Sequence, residues 1–369
     1  MSKQRQIIII FNQPIDERNI SRFYLNKIAK ISKNFHIINF HKKSKVKNKF
    51  INSRLLKINI KSIIRLIFYN EKGCYIDLSN RSIREIIFLR FLSILGYKRI
   101  TLDVGLIPVQ NTRFHILKNN LNNNEYLKFI SNIITRFIYK IFYRFILPKV
   151  DLAFTSGTKG KFLSKQSGAK KIIEAHNLDY DNFLNIKKKI HKKKYAVYID
   201  QDLSNNEDLK NDGVKFDNRK FEKKIDIFLN HVNSTTIKIQ VAGSNRRNLK
   251  KNLFKLNTKY FNTDRMIAEC KFVIGHNSTA LQYAILFDKP ILLISTKEIE
   301  NINQIYKHML DFKKITGCQL LSIDSKKKNK IFFKKINKKK YSIYINKYIK
   351  SKSSININFF RIFKNNLTF

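Results

Sequence analysis

FNTDRMIAECKFVIGHNSTALQYAILFDKPILLIST, running from Phe261 to Thr296, is the stretch whose reading decides the fold. Thr263 and Asp264 stand ahead of the apolar Met266, Ile267 and Cys270, so a short capped helix is expected up to Lys271. Phe272, Val273 and Ile274 form a continuous apolar run ended by Gly275, which reads as a strand buried on both faces. His276-Asn277-Ser278-Thr279 then open a helix with Ala280, Leu281, Ala284, Ile285 and Phe287 on its apolar face. Asp288-Lys289-Pro290 stops that helix, and Ile291 to Ile294 is a second buried strand. Helix, strand, helix, strand with short connections is the grammar of an open parallel sheet. Such sheets bind ligands outside the carboxyl ends of their strands, where Gly275 to Thr279 would lie. Glycine lets a ligand approach the backbone, while helix N–H groups and the Ser278 and Thr279 hydroxyls offer donors to an anion such as a phosphate. The same residues also serve as an ordinary helix cap, with His276 a hydrogen-bonded edge residue, and both readings stay open at this point.

The whole chain has 369 residues, enough for two domains, and its 43% hydrophobic content with regular periodic segments excludes a largely disordered protein. Lys and Arg number 74 against 26 Asp and Glu, a formal net charge of +48 that would bind polyanions at low salt. Lys, Asn, Ile and Phe dominate together, as an AT-rich coding sequence would produce, so much of the excess also reads as a solvated surface. No zinc spacing, homeodomain-like helix or aromatic RNA-binding signature is present, and no specific nucleic acid partner is expected. Cys74, Cys270 and Cys318 are too widely separated to suggest a disulfide framework or a metal site. The opening MSKQRQIIIIFNQP reads as a first strand rather than a signal peptide, and every candidate span is interrupted by lysines and arginines. A cytoplasmic protein is therefore expected.

In the first half, Ile7 to Phe11 is a buried strand, Asn19 to Ser32 an amphipathic helix and Phe35 to Phe40 a second strand. Ser53 to Tyr69 and Arg81 to Leu95 read as helices around a short strand at Gly73 to Asp77, followed by a strand at Arg99 to Val104. Glu125 to Pro148 differs. Phe129, Ile130, Ile133, Ile134, Phe137, Ile138, Ile141, Phe142 and Phe145 make a wide apolar face with Lys128, Arg136, Lys140 and Arg144 beside it. That pattern suits the surface of an anionic membrane, and equally a core-facing helix with snorkelling lysines.

From Val150 a strand runs to Thr155, and Lys171 to Ala175 forms another that delivers His176, Asn177, Asp179, Tyr180 and Asp181 to one rim. Lysine-rich Lys187 to Lys194 marks the expected boundary between a first α/β domain, 1–190, and a second, 191–345. A basic, aromatic tail, 346–369, has the option of packing back on the first domain. The second domain opens with a strand from Tyr195 to Ile199 ending in Asp200-Gln201-Asp202. Phe221 to Val232 is then a helix, and Thr236 to Val241 a strand ending in Ala242-Gly243-Ser244-Asn245-Arg246-Arg247. In a parallel sheet these polar ends converge with His276 to Thr279.

Taken together, AHNLDYDNFL from Ala175, YAVYIDQ from Tyr195, VAGSNRR from Val241 and FVIGHNSTALQYAILFDKPILLI from Phe272 resemble bacterial surface-carbohydrate biosynthesis proteins. Those are glycosyltransferases of lipopolysaccharide and capsule synthesis with the GT-B architecture, and a remoter similarity runs to sialyl- and Kdo-transferases that use CMP-activated sugars. The resemblance covers roughly Val150 to Thr296. It implies an α/β fold of two Rossmann-like domains facing a cleft, and transfer of a sugar, CMP-activated by preference, to a lipid-linked or lipopolysaccharide or capsule glycan. It also makes 1–190 the acceptor-side domain and 191–345 the nucleotide-sugar-binding domain, and the apolar and basic faces of Phe129 to Phe145 with the overall charge add an expected membrane-facing first domain, attached peripherally to the inner face of the cytoplasmic membrane. By position, Ser278 and Thr279 match the Ser-Ser/Thr pair that such families place on the donor phosphate, and Asp200 sits where an acidic motif supplies the general base. Ser244-Asn245 stands where a His-Pro motif belongs, so the histidine that assists the leaving phosphate is absent. Arg246, Arg247 or His276 would have to replace it as a cation. Donor binding is thus expected from Gly243, Ser244, Arg246, Gly275, His276, Asn277, Ser278 and Thr279. His176, Asp179, Asp181 and Gln201 are expected on the acceptor or cleft side.

Glycosyl transfer needs a base for the acceptor hydroxyl and donors where charge grows on the leaving phosphate. Asp179-Tyr180-Asp181 and Asp200-Gln201-Asp202 spell the Asp-x-Asp of metal-using transferases, but so short a pattern recurs by chance. Neither a metal nor a cofactor beyond the donor is expected. Two other readings remain: a polyol-phosphate or pyruvyl transferase on the same scaffold, and a non-catalytic basic protein that binds membranes or nucleic acid.

Overall fold

The structure, a computed structural model, describes residues 6–12, 15, 17–32, 34–40, 54–56, 73–105, 134, 137, 138, 140–187, 190–203, 218–244, 254–325 and 335–367. The chain divides into two α/β units. The first takes its described residues from Met1–Leu106, Arg113–Leu178 and Lys347–Phe369, and the second from Asp179–Asn346.

The first unit is a seven-stranded sheet in the order β3-β2-β1-β4-β5-β6-β7, every neighbouring pair parallel. Its strands are β1 (Ile7–Phe11), β2 (Phe35–Asn39), β3 (Arg54–Leu56), β4 (Cys74–Leu78), β5 (Lys98–Asp103), β6 (Leu152–Ser156) and β7 (Lys171–Ala175). β1 shows why a run of isoleucines makes a central strand. Side chains alternate across the sheet, so Ile7, Ile9 and Phe11 join one core layer with Phe154, Phe359 and Phe363, while Ile8 and Ile10 join another with Tyr75, Leu89 and Leu92. The helix Ile83–Ile94 covers that second layer, started by a reciprocal capping box between Ser82 and Glu85. β3 occupies the start of a segment expected to be a helix from Ser53 to Tyr69. Pairing of Arg54–Leu56 with the exposed edge of β2 overrides local propensity there, and the rest of that segment lies outside the described residues.

At the end of β4, Asp77 meets Arg99 of β5, whose Nη2 lies 2.5 Å from Asp77 Oδ2; both are almost fully buried. Burial alone would raise the Asp77 pKa, but the charges of Arg99 and Arg81 hold it below the usual carboxylate range. The segment Lys347–Phe369 closes this unit. Gly157 has φ +59°, and a Cβ there would come within 2.4 Å of the Lys347 carbonyl, so glycine is required by both conformation and space. Ser156 Oγ donates to the Tyr348 carbonyl at 3.1 Å and Asn177 N to the Ile349 carbonyl at 2.8 Å. The helix Phe359–Asn366 then buries Phe359, Ile362 and Phe363.

The second unit is a six-stranded, all-parallel sheet in the order β10-β9-β8-β11-β12-β13. Its strands are β8 (Ala196–Ile199), β9 (Ile239–Ala242), β10 (Thr258–Lys259), β11 (Phe272–Gly275), β12 (Ile291–Ser295) and β13 (Gln319–Ser322). It begins earlier than the expected boundary at 190/191. The helix Asp179–Lys187 belongs to it because Phe183 packs on Phe287 with ring centroids 5.0 Å apart and Asn182 Nδ2 donates to the Tyr283 hydroxyl at 3.2 Å. A second difference bears on the site. The helix expected to open at His276 spans only Leu281–Leu286, and 276–280 form a turn ahead of it.

Candidate functional site

In the second sheet the chain lays β9 and β10 on one side of β8 and β11 to β13 on the other, so strand order reverses between β8 and β11. Connections leave in opposite directions at such a switch point and open a crevice beyond the strand ends, the usual ligand position in doubly wound sheets. β8 ends into Asp200-Gln201-Asp202, β11 into His276-Asn277-Ser278-Thr279, and β9, paired with β8, into Gly243-Ser244. The three polar ends therefore lie together. Asn245, Arg246 and Arg247 lie outside the described residues.

Asp200 is buried, and its carboxylate binds backbone: Oδ1 accepts from Asp202 N at 3.2 Å and Oδ2 from Ser244 N at 3.3 Å. It thus closes its own turn and ties the end of β8 to the loop after β9. Asp202 is itself buried, with φ +44°, a conformation aspartate tolerates in such turns. Gln201 spans the reversal. Its Oε1 accepts from Asn277 N at 3.1 Å and its Nε2 donates to the Asn277 carbonyl.

His276 is 1% exposed, behind the turn rather than on it. Its Nδ1 lies 2.6 Å from the Ile294 carbonyl, which only accepts, so Nδ1 carries the hydrogen and Nε2 accepts from the Tyr198 hydroxyl at 3.0 Å. Burial lowers its pKa to about 4, against the opposing influence of the Ile294 carbonyl and the Asp200 charge. The ring is neutral near pH 7, which corrects the expectation that His276 supplies a cation.

The turn also revises the expected anion donors. Ala280 N donates to Ser278 Oγ at 3.2 Å, and the N–H groups of Leu281, Gln282 and Tyr283 donate to the carbonyls of Ser278, Thr279 and Ala280. Among the described residues no acceptor meets the N–H groups of Ser278 and Thr279, which stand beside their own hydroxyls. A Cβ at Gly275 would meet Leu281 at 3.4 Å and Ile199 at 3.8 Å, ordinary contacts, so the packing of the chain itself does not demand glycine there. Gly243 is different, because a Cβ would strike the Tyr260 ring at 2.4 Å. That glycine makes room for a neighbouring ring.

The residues expected on one acceptor rim do not gather within either unit. His176 belongs to the first unit and is fully buried, with Nδ1 2.9 Å from the Asn177 carbonyl and Nε2 2.7 Å from the Ile357 carbonyl. It holds β7 to the closing segment. Asp179 and Asp181 stand in the first turn of the helix Asp179–Lys187 in the second unit, where carboxylates complement the helix dipole. Among the described residues no group of three or more His, Cys, Asp or Glu is placed to hold a metal ion.

One functional candidate has no sequence signal. His308, on the helix Asn303–Thr316, brings its Nδ1 to 3.3 Å from Asn277 Nδ2, and with Phe312 and Tyr344 it lines a small pocket against Asn277 and Ser278. The separation of 31 residues and the unremarkable helical pattern around it hide this pairing from any reading of the chain alone.

In the first unit, residues 134, 137, 138, 140 and 141 are helical and lead into a π-helical turn, Phe142–Ile146. Ile134, Phe137, Ile138, Ile141 and Phe145 are all exposed, Phe137 at 63% and Phe145 at 70%, next to exposed Lys140 and Arg144. Phe129, Ile130 and Ile133 lie outside the described residues. Among the described residues no helix is long and apolar enough to cross a membrane.

No protein-family model matches the chain, and no curated protein matches it. Solved structures do. The wall teichoic acid polymerase TagF, as its H444N variant, is 10% identical over 95% of this chain and 85% of that one, with a TM-score of 0.51. UGT2 of Phytolacca americana, complexed with UDP-2fluoro-glucose and pterostilbene, is 5% identical over 95% and 91%, with a TM-score of 0.49. UDP-GlcNAc 2-epimerase of Methanocaldococcus jannaschii, in complex with UDP-GlcNAc and UDP, is 12% identical over 98% and 99%, with a TM-score of 0.45. At such identities the likeness is one of fold, two Rossmann-like units of the GT-B type in one chain.

Proposed function

We propose that the chain is a glycosyltransferase that takes a sugar from a nucleotide-activated donor. The observation that carries this reading is the convergence of the Asp200, Ser244 and Gly275–Thr279 strand ends at the reversal point of the second sheet. The donor phosphate is assigned to the Ser278 and Thr279 hydroxyls and N–H groups, where growing negative charge is best stabilised. Asp200 is assigned as acceptor of the proton from the attacking hydroxyl. Bonds from Asp202 N and Ser244 N hold its carboxylate at the end of β8, beside the turn that carries Ser278. The resemblance to CMP-sugar transferases supports a CMP-linked donor. A lipid-linked or lipopolysaccharide glycan acceptor on an anionic membrane is supported by the exposed Phe137 and Phe145 beside Lys140 and Arg144.

Saturation-transfer NMR of the full chain with CMP, UDP, GDP and phosphoenolpyruvate tests the reading. Binding of one nucleotide that is weakened by the double substitution Ser278→Ala, Thr279→Ala is expected. Response to phosphoenolpyruvate alone would point to pyruvyl transfer, and response to none of the four would remove the assignment.

A further inference from the structure

The sequence has no histidine in the loop after β9, where the resembling families place one to assist the leaving phosphate; Ser244 stands there instead. The fold supplies a histidine from another direction. His308 projects from the helix Asn303–Thr316, which follows β12, and approaches the β11 turn from the side opposite β8 and β9. The Asn277 side-chain amide donates to its Nδ1 at 3.3 Å, which leaves the hydrogen of the neutral ring on Nε2. Burial keeps the ring pKa below the ordinary histidine value despite the nearby Asp311 carboxylate, so one ring hydrogen is the state near pH 7.

His308 Nε2 is buried and meets no hydrogen-bond partner among the described residues. A buried donor without an acceptor is costly, and a ligand or a bound water can supply the acceptor. The pocket beside it is lined by Ser278, whose Oγ already accepts from Ala280 N and so has its hydroxyl hydrogen left to give. Phe312 and Tyr344, with ring centroids 5.6 Å apart, line it as well, and the Tyr344 hydroxyl is also buried. The Nε2–H and Ser278 hydroxyl donors fit an oxygen that accepts. The water-accessible space of about 10 Å³ admits a single such atom, a water or one oxygen of a larger anion.

We propose that His308 donates its Nε2 hydrogen to a phosphate oxygen of the donor nucleotide, with Asn277 fixing the ring, and so takes the place of the histidine missing after β9. The assignment rests on the nucleotide-dependent reading above. It makes His308 a phosphate-contacting residue that stabilises the departing nucleotide by a hydrogen bond, without transfer of its proton.

The test uses the full chain with 15N-labelled histidine, titrated with CMP, UDP, inorganic pyrophosphate and the nucleosides cytidine and uridine. The Nε2 resonance of His308 should move with the nucleotides and pyrophosphate and stay in place with the nucleosides. His308→Ala should weaken nucleotide binding by about tenfold, the usual worth of one charge-assisted bond, and His308→Gln, which keeps a donor, should recover part of the loss. If a nucleotide binds the unaltered chain without moving His308, or binds His308→Ala as tightly, the phosphate role is overturned while the nucleotide reading stands. If pyrophosphate moves His308 and no nucleotide binds, the anion site stands and the nucleotide reading falls. An unresponsive His308 with all five probes overturns the proposal, as does a resonance that reports only exchange with bound water. The titration of the unaltered chain decides even where a variant does not fold.

Discussion

The side-chain amide of Gln201 engages both backbone groups of Asn277, accepting from its N–H at 3.1 Å and donating to its carbonyl. Backbone pairing of β8 with β11 runs from Ala196 and Phe272 to Tyr198 and Ile274, and the glutamine extends the hydrogen bonding past its end. The two strand ends are thereby held in register where the connections part company. Gln201→Ala should destabilise the second unit by about 1–3 kcal/mol, since it strips two bonds and leaves part-buried backbone groups unpaired. Urea unfolding followed by tyrosine fluorescence would measure it. A midpoint equal to that of the parent chain would mean that the amide contributes nothing to the turn.

Asp200 carries either chemistry or architecture, and one substitution separates them. If it accepts the acceptor's proton, Asp200→Asn should keep nucleotide affinity and lower turnover by about 10²- to 10⁴-fold. If its bonds to Asp202 N and Ser244 N are its whole task, the same change should lower the melting temperature and leave turnover per folded molecule almost unchanged. Turnover and melting on one preparation distinguish the outcomes.

Gly275 offers a cleaner test of where the ligand sits. With Leu281 at 3.4 Å as nearest neighbour of an added Cβ, Gly275→Ala should change stability by no more than about 1 kcal/mol. If the donor phosphate sits at this turn, calorimetric titration with the nucleotide identified by NMR should nevertheless show a marked loss of affinity, because a side chain at 275 crowds the strand end on which the assigned site is built. Unchanged affinity would move the ligand away from β11.

The two units should respond to acid over different ranges. His276 is held to about 4 from an ordinary 6.5, so the unfolded chain binds a proton that the folded one refuses, and its contribution is lost as pH falls from about 6.5 to about 4. Glu174 is held near 2 from an ordinary 4.5. Burial opposes this shift, and bonds from Lys161, Ser353 and Ser351 outweigh it; its contribution is complete above about pH 4.5 and lost as pH falls towards 2. Stability measured against pH should flatten over the upper range in His276→Gln and over the lower range in Glu174→Gln. Profiles parallel to that of the parent chain would contradict the assigned shifts.

Membrane attachment through the first unit predicts co-sedimentation with anionic liposomes that weakens on raising salt. Phe137→Ser with Phe145→Ser should abolish most of what persists at high salt, since among the described residues of the segment these are the most exposed rings. Full retention at high salt would mean that these rings are not the anchor.

Much of the fold is legible in the chain because buried parallel strands leave a strong local mark. Ile7 to Phe11 and Phe272 to Gly275 are apolar runs stopped by turn residues, and both appear as central strands. Arg54–Leu56 is not legible, since only the neighbouring edge of β2 makes it a strand. At the site, the sequence places Asp200, Gln201 and Ser278 near one another, because strand ends in a parallel sheet share a side. What each side chain does there depends on partners distant in sequence. Neither the burial of His276 between Tyr198 and Ile294 nor the pairing of Asn277 with His308 leaves a periodic trace.

The requirement for Gly157 beneath the Lys347 carbonyl also bears on the order of biosynthesis. Domains emerging from a ribosome fold as units, ordinarily the earlier-translated one first. Here the earlier unit lacks Phe359, Ile362 and Phe363 from its core until the whole of the second unit has been translated. The second unit is therefore the one able to mature first, while the nascent first sheet waits with one apolar layer uncovered, a period in which a ribosome-associated chaperone has a defined surface to shield.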